Sequence, residues 1–235
     1  VQKALQAIGD GRYYQINLSV GFETRAPPAL GSGPLAEVLA SLAAPQPVPF
    51  AMAMQVGDWR YFSLSMERFL SVTPSPSGDA LVRSRPIKGT AQRGNSPASD
   101  AANRQALRLS TKERAENTMI VDMVRNDLAR VATLGSVAVP TLLEAVAYRT
   151  LWHLESEVAA RVPATTSASA LLRATLPPAS VTGCPKISAM RAIAALERRR
   201  RGPYCGAAGL WLPDGTTDLA VGIRGIVQRG ARARL

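Results

Sequence analysis

Lys88 lies in the segment RSRPIKGTAQRG, residues 83–94, of a chain that otherwise writes its positive charge as arginine. Its 28 basic residues are 24 arginines and four lysines, Lys3, Lys88, Lys112 and Lys186. A guanidinium keeps its proton at any working pH, whereas a partly buried ammonium can lose it and become a nucleophile or a base. The alternative is a lysine whose stem packs while its head sits in solvent. A second chemical signal is KERAENTMIVDMVRNDL, residues 112–128. At 100° per residue Glu113, Glu116, Ile120, Met123 and Asp127 share one helical face, flanked by Met119 and Val124. Carboxylates on such a stripe are costly unless paired or bound to a metal. Glu113 and Glu116, three residues apart, can converge on one point and suit Mg²⁺, or they pair with Lys112, Arg114 or an arginine from elsewhere. His153 is the only histidine, and it is either a satisfied structural residue or a catalyst. Glu67, in SMERFL, is a candidate acid or the surface partner of Arg68. Gly183 and Cys184, at an expected helix start, could offer backbone N–H groups to an anion, or Thr182 could simply cap that helix.

These residues need a frame. YYQINLSVGF, residues 13–22, alternates apolar and polar and predicts a half-buried strand. PLAEVLASL predicts a short helix within an Ala/Pro/Gly-rich stretch, 26–49. FAMAMQV and WRYFSLS flank Gly57-Asp58 as a hairpin, and RFLSV is a strand that ends in the turn TPSPSGD. Residues 98–132 predict a long helical stretch with one break, then a loop near Gly135; PATTSAS, 163–169, is another loop. Thr182-Gly183-Cys184-Pro185 opens a helix through Arg198. YCGAAGLWL and TDLAVGIRGIVQ flank Pro-Asp-Gly as a second hairpin. Hairpins mixed with long helices predict an α+β fold with a largely antiparallel sheet and no internal linker.

Composition excludes several classes. A chain of 235 residues with 46% hydrophobic content can bury a sizeable core. No run of 18 uncharged apolar residues predicts a membrane span, and the N-terminal VQKALQAIGDGRYY lacks the pattern of a secretory signal. Two cysteines, Cys184 and Cys205, form no framework. The expectation is a cytoplasmic, reduced protein without a membrane partner. The net charge of +11 is scattered apart from RRRR at 198–201 and the last few residues. With no aromatic-rich basic stripe, nucleic acid is not the expected partner and the arginine run is expected to be a solvated helix end.

Taken together, YYQINLS, SMERFL, RPIKGTAQRG, KERAENTMIVDMVRNDLARV, GSV, WHLESEV, TGCPKISAMRAIAALERRRRGPYCG and DLAVGIRG resemble, in order and over nearly the whole chain, the chorismate-binding enzymes. That family includes component I of anthranilate synthase and of aminodeoxychorismate synthase, with isochorismate and salicylate synthases as more distant kin. The resemblance implies a layered sandwich of largely antiparallel β-sheets flanked by helices, with one catalytic domain over residues 1–235. It implies Glu116 as a Mg²⁺ ligand supported by Glu113, and Glu67 as the general acid that protonates the departing 4-hydroxyl of chorismate. It implies His153 as a ring contact and Gln15, Thr90, Thr182, Gly183, Tyr204 and Arg224 as substrate-binding positions.

Two positions sort the branches of the family. Isochorismate and salicylate synthases place a water-activating lysine where this chain has Gln15. Anthranilate synthases usually carry alanine in the PI-x-GT motif, where aminodeoxychorismate synthases carry lysine, as here. The resemblance therefore implies amination of chorismate at C4 through a covalent Lys88 intermediate, with ammonia from a glutamine amidotransferase partner. Anthranilate synthase component I is the alternative. Met66 for the usual proline, Glu155 for an apolar residue and Gly225 for threonine depart from the pattern. The family's usual N-terminal portion, and a C-terminal segment with a second Mg²⁺-binding glutamate, are expected to be missing, so an inactive truncated homologue is a further alternative.

Overall fold

The computed structural model describes every residue except 28, 29, 31, 32 and 77. Its elements run α1 (Gln2–Gly9), β1 (Gln15–Ile16), β2 (Glu23–Arg25), α2 (Leu35–Ala43), β3 (Phe50–Val56), β4 (Trp59–Ser65), β5 (Arg68–Pro74), β6 (Ala80–Arg85) and β7 (Ile87–Gln92). They continue α3 (Pro97–Leu109), α4 (Thr111–Ala129), β8 (Ala138–Ala147), β9 (Leu151–Val162), α5 (Ala168–Thr175), β10 (Gly183–Cys184), α6 (Lys186–Glu197), β11 (Ala207–Trp211), β12 (Thr217–Val221), β13 (Gly225–Arg229) and β14 (Arg232–Arg234). A 3₁₀ turn, Ala179–Val181, precedes β10.

Two antiparallel sheets carry the fold. The seven-stranded sheet has the order β11-β12-β5-β6-β9-β7, with β8 paired to β9, and the five-stranded sheet has the order β2-β14-β13-β4-β3. Strand β9 is the spine of the larger one. Its C-terminal half pairs with β6, its N-terminal half with β7, and β8 lies along it as well. A strand with neighbours on both edges and a helix against it has little contact with water, and LWHLESEVAARV is buried at nine of its 12 positions. Helix α4 lies on this sheet, and Ile120, Val121, Val124 and Leu128 join Leu70, Val82 and Val158 in the main core. Phe62 of β4 packs with Leu30 and Val38 in a smaller core under the five-stranded sheet.

Both hairpins form, and the expected α+β architecture of antiparallel sheets flanked by helices holds. The helical break falls at Ser110, which ends α3 and whose hydroxyl accepts from the Glu113 N–H at 3.3 Å as the N-cap of α4. No helix among the described residues is long and apolar enough to cross a membrane.

Three expectations are corrected. Residues 13–22 are not one half-buried strand. Gln15–Ile16 pairs with β10 and Phe22 exchanges backbone hydrogen bonds with Leu235 at 3.1 and 2.9 Å, while Tyr14 and Val20 remain 75% and 77% exposed. Alternation marks two faces, but a ladder needs a partner, and β10 offers two residues before Pro185 ends it. The helix expected from Thr182 begins at Lys186, so Thr182 does not cap it. Its hydroxyl instead donates to the carbonyls of Pro178 and Ala179, at 3.2 and 3.1 Å. Finally, TDLAVGIRGIVQ is two strands in two different sheets. The chain crosses over at 222–224, where Arg224 has φ 51°.

Candidate active site

A cavity of about 270 Å³ opens where these elements meet. The β4–β5 junction contributes Glu67, β7 contributes Lys88 and Thr90, and β9 contributes His153. The 3₁₀ turn adds Ser180 and Val181, and Tyr204 and Arg224 come from the loops after α6 and β12. Six of the residues expected from the sequence therefore face one space. A larger groove, about 850 Å³, lies along the outer face of α4 beside Met119 and Met123. It gathers none of them, so the smaller cavity is the candidate chemical site.

Lys88 is set by a bulge and a buried amide. The pairing of β7 with β9 slips between Ile87 and Thr90, and Gly89 within the slip has φ 102°. A Cβ there would stand 3.1 Å from the Cβ of Leu154 and 3.2 Å from that of Glu113, so glycine lets the strand lie against both β9 and α4. Asn117 of α4, fully buried, donates through Nδ2 to the carbonyls of Lys88 at 3.2 Å and Leu154 at 2.9 Å. Its Oδ1 accepts from the Ser156 hydroxyl at 2.6 Å. Sequence reading missed Asn117. A polar residue flanked by Ile120, Val121 and Val124 on the inward face of a helix was the available signal.

Glu67 is 6% exposed. Burial pushes its carboxyl up to about 7; Ser180 and the Lys88 charge pull the other way, and the Glu155 charge adds to the rise. A carboxyl with this poise is protonated in a large share of molecules at neutral pH, as a proton donor requires. It is not the surface partner of Arg68, which pairs with Asp218 at 3.0 Å.

His153 stands with Nδ1 3.0 Å from the Thr90 hydroxyl. Its Nε2 is buried without a hydrogen-bond partner, and its ring meets the edge of Tyr148 at 5.1 Å. Burial lowers its pKa, so it is a neutral imidazole at working pH. Behind it, the Tyr148 hydroxyl donates to the buried Glu155 at 2.6 Å. Burial pushes the Glu155 carboxyl up, and burial together with that carboxylate pushes the Tyr148 phenol up.

Gln15, Thr182 and Gly183 frame the cavity rather than line it. Asn17, a lining residue, donates its N–H to the Thr182 carbonyl at 2.8 Å, and Ile16 pairs with Gly183. At Gly183, with φ 153°, a Cβ would fall 2.2 Å from the Gln15 carbonyl oxygen.

Only half of the arginine run is a solvated helix end: Arg198 and Arg200 are exposed, whereas Arg199 and Arg201 are held. Arg201 donates to both Glu197 oxygens, at 3.0 and 2.7 Å, to the Val181 carbonyl at 3.0 Å and to the Asn17 carbonyl at 2.5 Å. It also lies over the Tyr204 ring at 5.7 Å. Asn17, Val181 and Tyr204 all line the cavity, so this guanidinium ties three of its walls together. Arg199 is held too, donating to the Ser19 hydroxyl at 2.8 Å. Four consecutive arginines look alike in sequence, and only the buried Glu197 distinguishes two of them.

Glu113 and Glu116 sit half-buried on α4, bridged by Lys112 at 3.4 and 3.7 Å. The Glu113 carboxylate lies against Gly89, 3.3 Å from where a Cβ would be, and so beside the Lys88 strand. Among the described residues no group of three or more His, Cys, Asp or Glu is placed to hold a metal ion. Two hard oxygen donors near a substrate cavity fit Mg²⁺, which keeps several waters and takes one or two carboxylates plus an anionic substrate. Asp127, on the same face, is instead engaged with Lys186, which also donates to the Thr175 and Pro177 carbonyls at 3.0 and 2.9 Å.

Comparison with known proteins identifies the chain's family. An aminodeoxychorismate synthase from Streptomyces pristinaespiralis is 40% identical over 227 residues, covering 97% of this chain and 30% of that protein. Aminodeoxychorismate synthase component 1 from Salmonella typhimurium is 39% identical over 91% of this chain and 45% of its own length. The chain thus spans less than half the length of these relatives. The crystal structure of anthranilate synthase component I from Streptococcus pneumoniae superposes on all of this chain and 49% of its own, with a TM-score of 0.86 and 32% identity. The profile of the chorismate binding enzyme family matches residues 1–235, and the chain belongs to that family.

Proposed function

We propose that this chain is the catalytic core of an aminodeoxychorismate synthase component I, aminating chorismate at C4 to give 4-amino-4-deoxychorismate. The observation that carries this reading is the meeting of Lys88 and the buried Glu67 in one cavity, in a chain similar to proteins of that name. Lys88 Nζ, as the free amine, forms a bond to C2 while the ring double bonds shift and the C4–O bond breaks. Glu67 gives its proton to the departing hydroxyl, which leaves as water. Ammonia then bonds to C4, the double bonds shift back and the C2–N bond breaks. The surplus proton of the new ammonium passes to the Glu67 carboxylate, which restores the acid. The sum is chorismate plus ammonia to aminodeoxychorismate plus water.

Arg224 and Tyr204 would receive the enolpyruvyl carboxylate, for which a guanidinium fork is suited. His153, neutral and with Nε2 unpartnered, would contact the ring. Glu116, supported by Glu113, would hold Mg²⁺, which when bound would neutralise the ring carboxylate. Ammonia would come from a glutamine amidotransferase partner, a reading supported by a relative named component 1. Burial raises the thiol pKa of both Cys184 and Cys205, the reverse of what a nucleophilic cysteine needs.

The test is product analysis by chromatography after incubation with chorismate, Mg²⁺ and ammonium. Aminodeoxychorismate is the expected product. Anthranilate would replace this reading with the anthranilate synthase one, and no product under these conditions, from the chain alone or extended to its relatives' length, would reject both.

A further inference from the structure

A second cavity, about 440 Å³, adjoins the catalytic one and shares Tyr204 and Arg224 with it. Four guanidiniums border it: Arg199, Arg201, Arg224 and Arg234. One carboxylate, Glu197, is shared by two of them, pairing with Arg201 at 2.7 Å and lying 3.8 Å from Arg199, so it offsets only one positive charge. Arg224 and Arg234 have no carboxylate partner among the described residues. Gly21 makes the crowding possible: a Cβ there would stand 3.2 Å from the Arg234 guanidinium and 3.5 Å from that of Arg199. Like charges brought this close repel unless an anion sits between them.

The same cavity holds an unused hydrogen-bonding group. Tyr61 is 8% exposed, and its hydroxyl, near the Ser63 side chain, has no protein acceptor for its own proton. It lies 3.1 and 3.2 Å from where Cβ atoms would stand on Gly222 and Gly225, both on the cavity wall. A buried hydroxyl without an acceptor costs free energy that a ligand oxygen would recover. The remaining wall is apolar. Val20 and Phe22, 77% and 68% exposed, turn toward it beside Ile226 and Leu235.

We infer that this cavity is a binding site for a small carboxylate with an apolar ring. Its carboxylate lies between Arg224 and Arg234 within reach of the Tyr61 hydroxyl, and its ring lies on Val20, Phe22 and Ile226. The volume fits one small molecule. A bare inorganic anion would leave the apolar wall uncovered, and a purely apolar ligand would leave two guanidiniums unneutralised. Because Arg224 serves both cavities, a carboxylate held here competes for the group that would clamp the substrate. The site would therefore act as an inhibitory subsite for ring carboxylates; that consequence rests on the proposed amination, whereas the binding itself does not.

Calorimetric titration of the chain with benzoate tests the binding directly, with acetate as the ringless control. Benzoate is expected to bind at least about tenfold more tightly than acetate. Arg234→Gln is expected to weaken benzoate about tenfold or more, and Tyr61→Phe to weaken it severalfold. Lys88→Ala, in the other cavity, is expected to leave it unchanged. Unchanged unfolding midpoints would show that the first two variants are folded. Equal affinity for acetate, indifference to both Arg234→Gln and Tyr61→Phe, or loss of binding in Lys88→Ala would each overturn the assignment. In the turnover assay Arg234→Gln should relieve inhibition by benzoate while leaving the chorismate KM in place. A chain that binds benzoate as described but aminates nothing would leave this site standing and reject the proposed function instead.

Discussion

Asn117 of α4 and Lys88 of β7 are joined by a side-chain-to-backbone bond, from Nδ2 of the fully buried Asn117 to the carbonyl of the half-buried Lys88 at 3.2 Å. The same amide group binds the Leu154 carbonyl, and its oxygen takes the Ser156 hydroxyl. One helix residue therefore holds the Lys88 strand to the central strand at the point where their register slips.

Asn117→Leu should be strongly destabilising. It strands two carbonyls and a hydroxyl in the core, and each unsatisfied group costs roughly 1–3 kcal/mol. Asn117→Asp keeps an acceptor for Ser156 but offers no donor to either carbonyl, so it should also fall short of the parent. Urea unfolding measures both. A loss below about 1 kcal/mol in Asn117→Leu would show that water or relaxation replaces these bonds.

Glu67 sets a pH dependence of both rate and stability. Its folded-state carboxyl titrates at about 7, above the ordinary 4.5. Between those values the folded chain holds a proton that the unfolded chain has released. Stability should thus fall as pH rises through this window and level off above it. Glu67→Gln should remove that slope and be more stable than the parent at pH 8. In the amination assay kcat/KM should fall above an apparent pKa near 7. Glu67→Gln should lose about 10²–10⁴-fold, as when a general acid is removed. A parent pH profile flat from 6 to 9 would remove Glu67 from the proton-donor role.

The Arg201–Glu197 pair is almost out of solvent, with side chains 14% and 3% exposed. Arg201→Met leaves a buried carboxylate without its main partner, a loss of roughly 3–5 kcal/mol. Adding Glu197→Gln should restore part of that stability, because the uncompensated charge is gone. Yet Asn17, Val181 and Tyr204 would remain untethered, so the double variant should still show a raised chorismate KM. Thermal unfolding and steady-state kinetics on the two variants separate the effects. A double variant no more stable than Arg201→Met would show that charge is not what the pair neutralises.

Local features of the fold were legible in the sequence. Both hairpins follow from turn residues between β-prone runs, and the break at Ser110 follows from capping chemistry. What sequence could not supply were the long-range partners. Residues 13–22 alternate well, but their burial depended on what lay beside them, and that is the two residues of β10 at one end and Leu235 at the other. TDLAVGIRGIVQ reads as one strand because nothing local shows that its halves join different sheets. The site followed the same rule. Lys88, Glu67 and His153 stood out as candidates by residue type, Thr90, Tyr204 and Arg224 came from a family resemblance, and all six meet in one cavity. Asn117 and Arg201, which hold Lys88 and the cavity walls in place, reach Lys88 29 residues away and Val181 and Asn17 20 and 184 residues away, and composition gave no sign of either.

Glu116 should govern the response to Mg²⁺. Together with Glu113 it surrounds Lys112, and an ion at this place would have to displace that ammonium. Glu116→Gln should raise the Mg²⁺ concentration for half-maximal activity by about tenfold or more. Asp122→Asn is the control: its carboxylate lies on the exposed side of the same helix, paired with Arg125 at 2.8 Å. Equal Mg²⁺ titrations for the two variants would take Glu116 out of the metal site. Lys112→Ala should act in the opposite direction and tighten Mg²⁺, because it removes the competing cation.

Lys88→Ala separates the two amination chemistries. In the proposed mechanism the first bond is made at C2 by Nζ, and C2 is unavailable to ammonia while the adduct lasts. Ammonia then enters at C4. Without the lysine the cavity, the general acid and the carboxylate-binding groups all remain, and the free position is C2. Aminodeoxychorismate formation should therefore fall by at least about 100-fold, the scale on which losing a positioned catalytic group is felt. Any residual product should be aminated at C2. The Gly89 bulge and the Asn117 bond are to the backbone of this strand, so the variant should fold normally and bind chorismate with little change. Mass spectrometry of the parent, quenched during turnover, should also find the lysine adduct at Lys88. Normal aminodeoxychorismate turnover by Lys88→Ala would exclude covalent catalysis, and the lysine would then serve only as a charge beside Glu67.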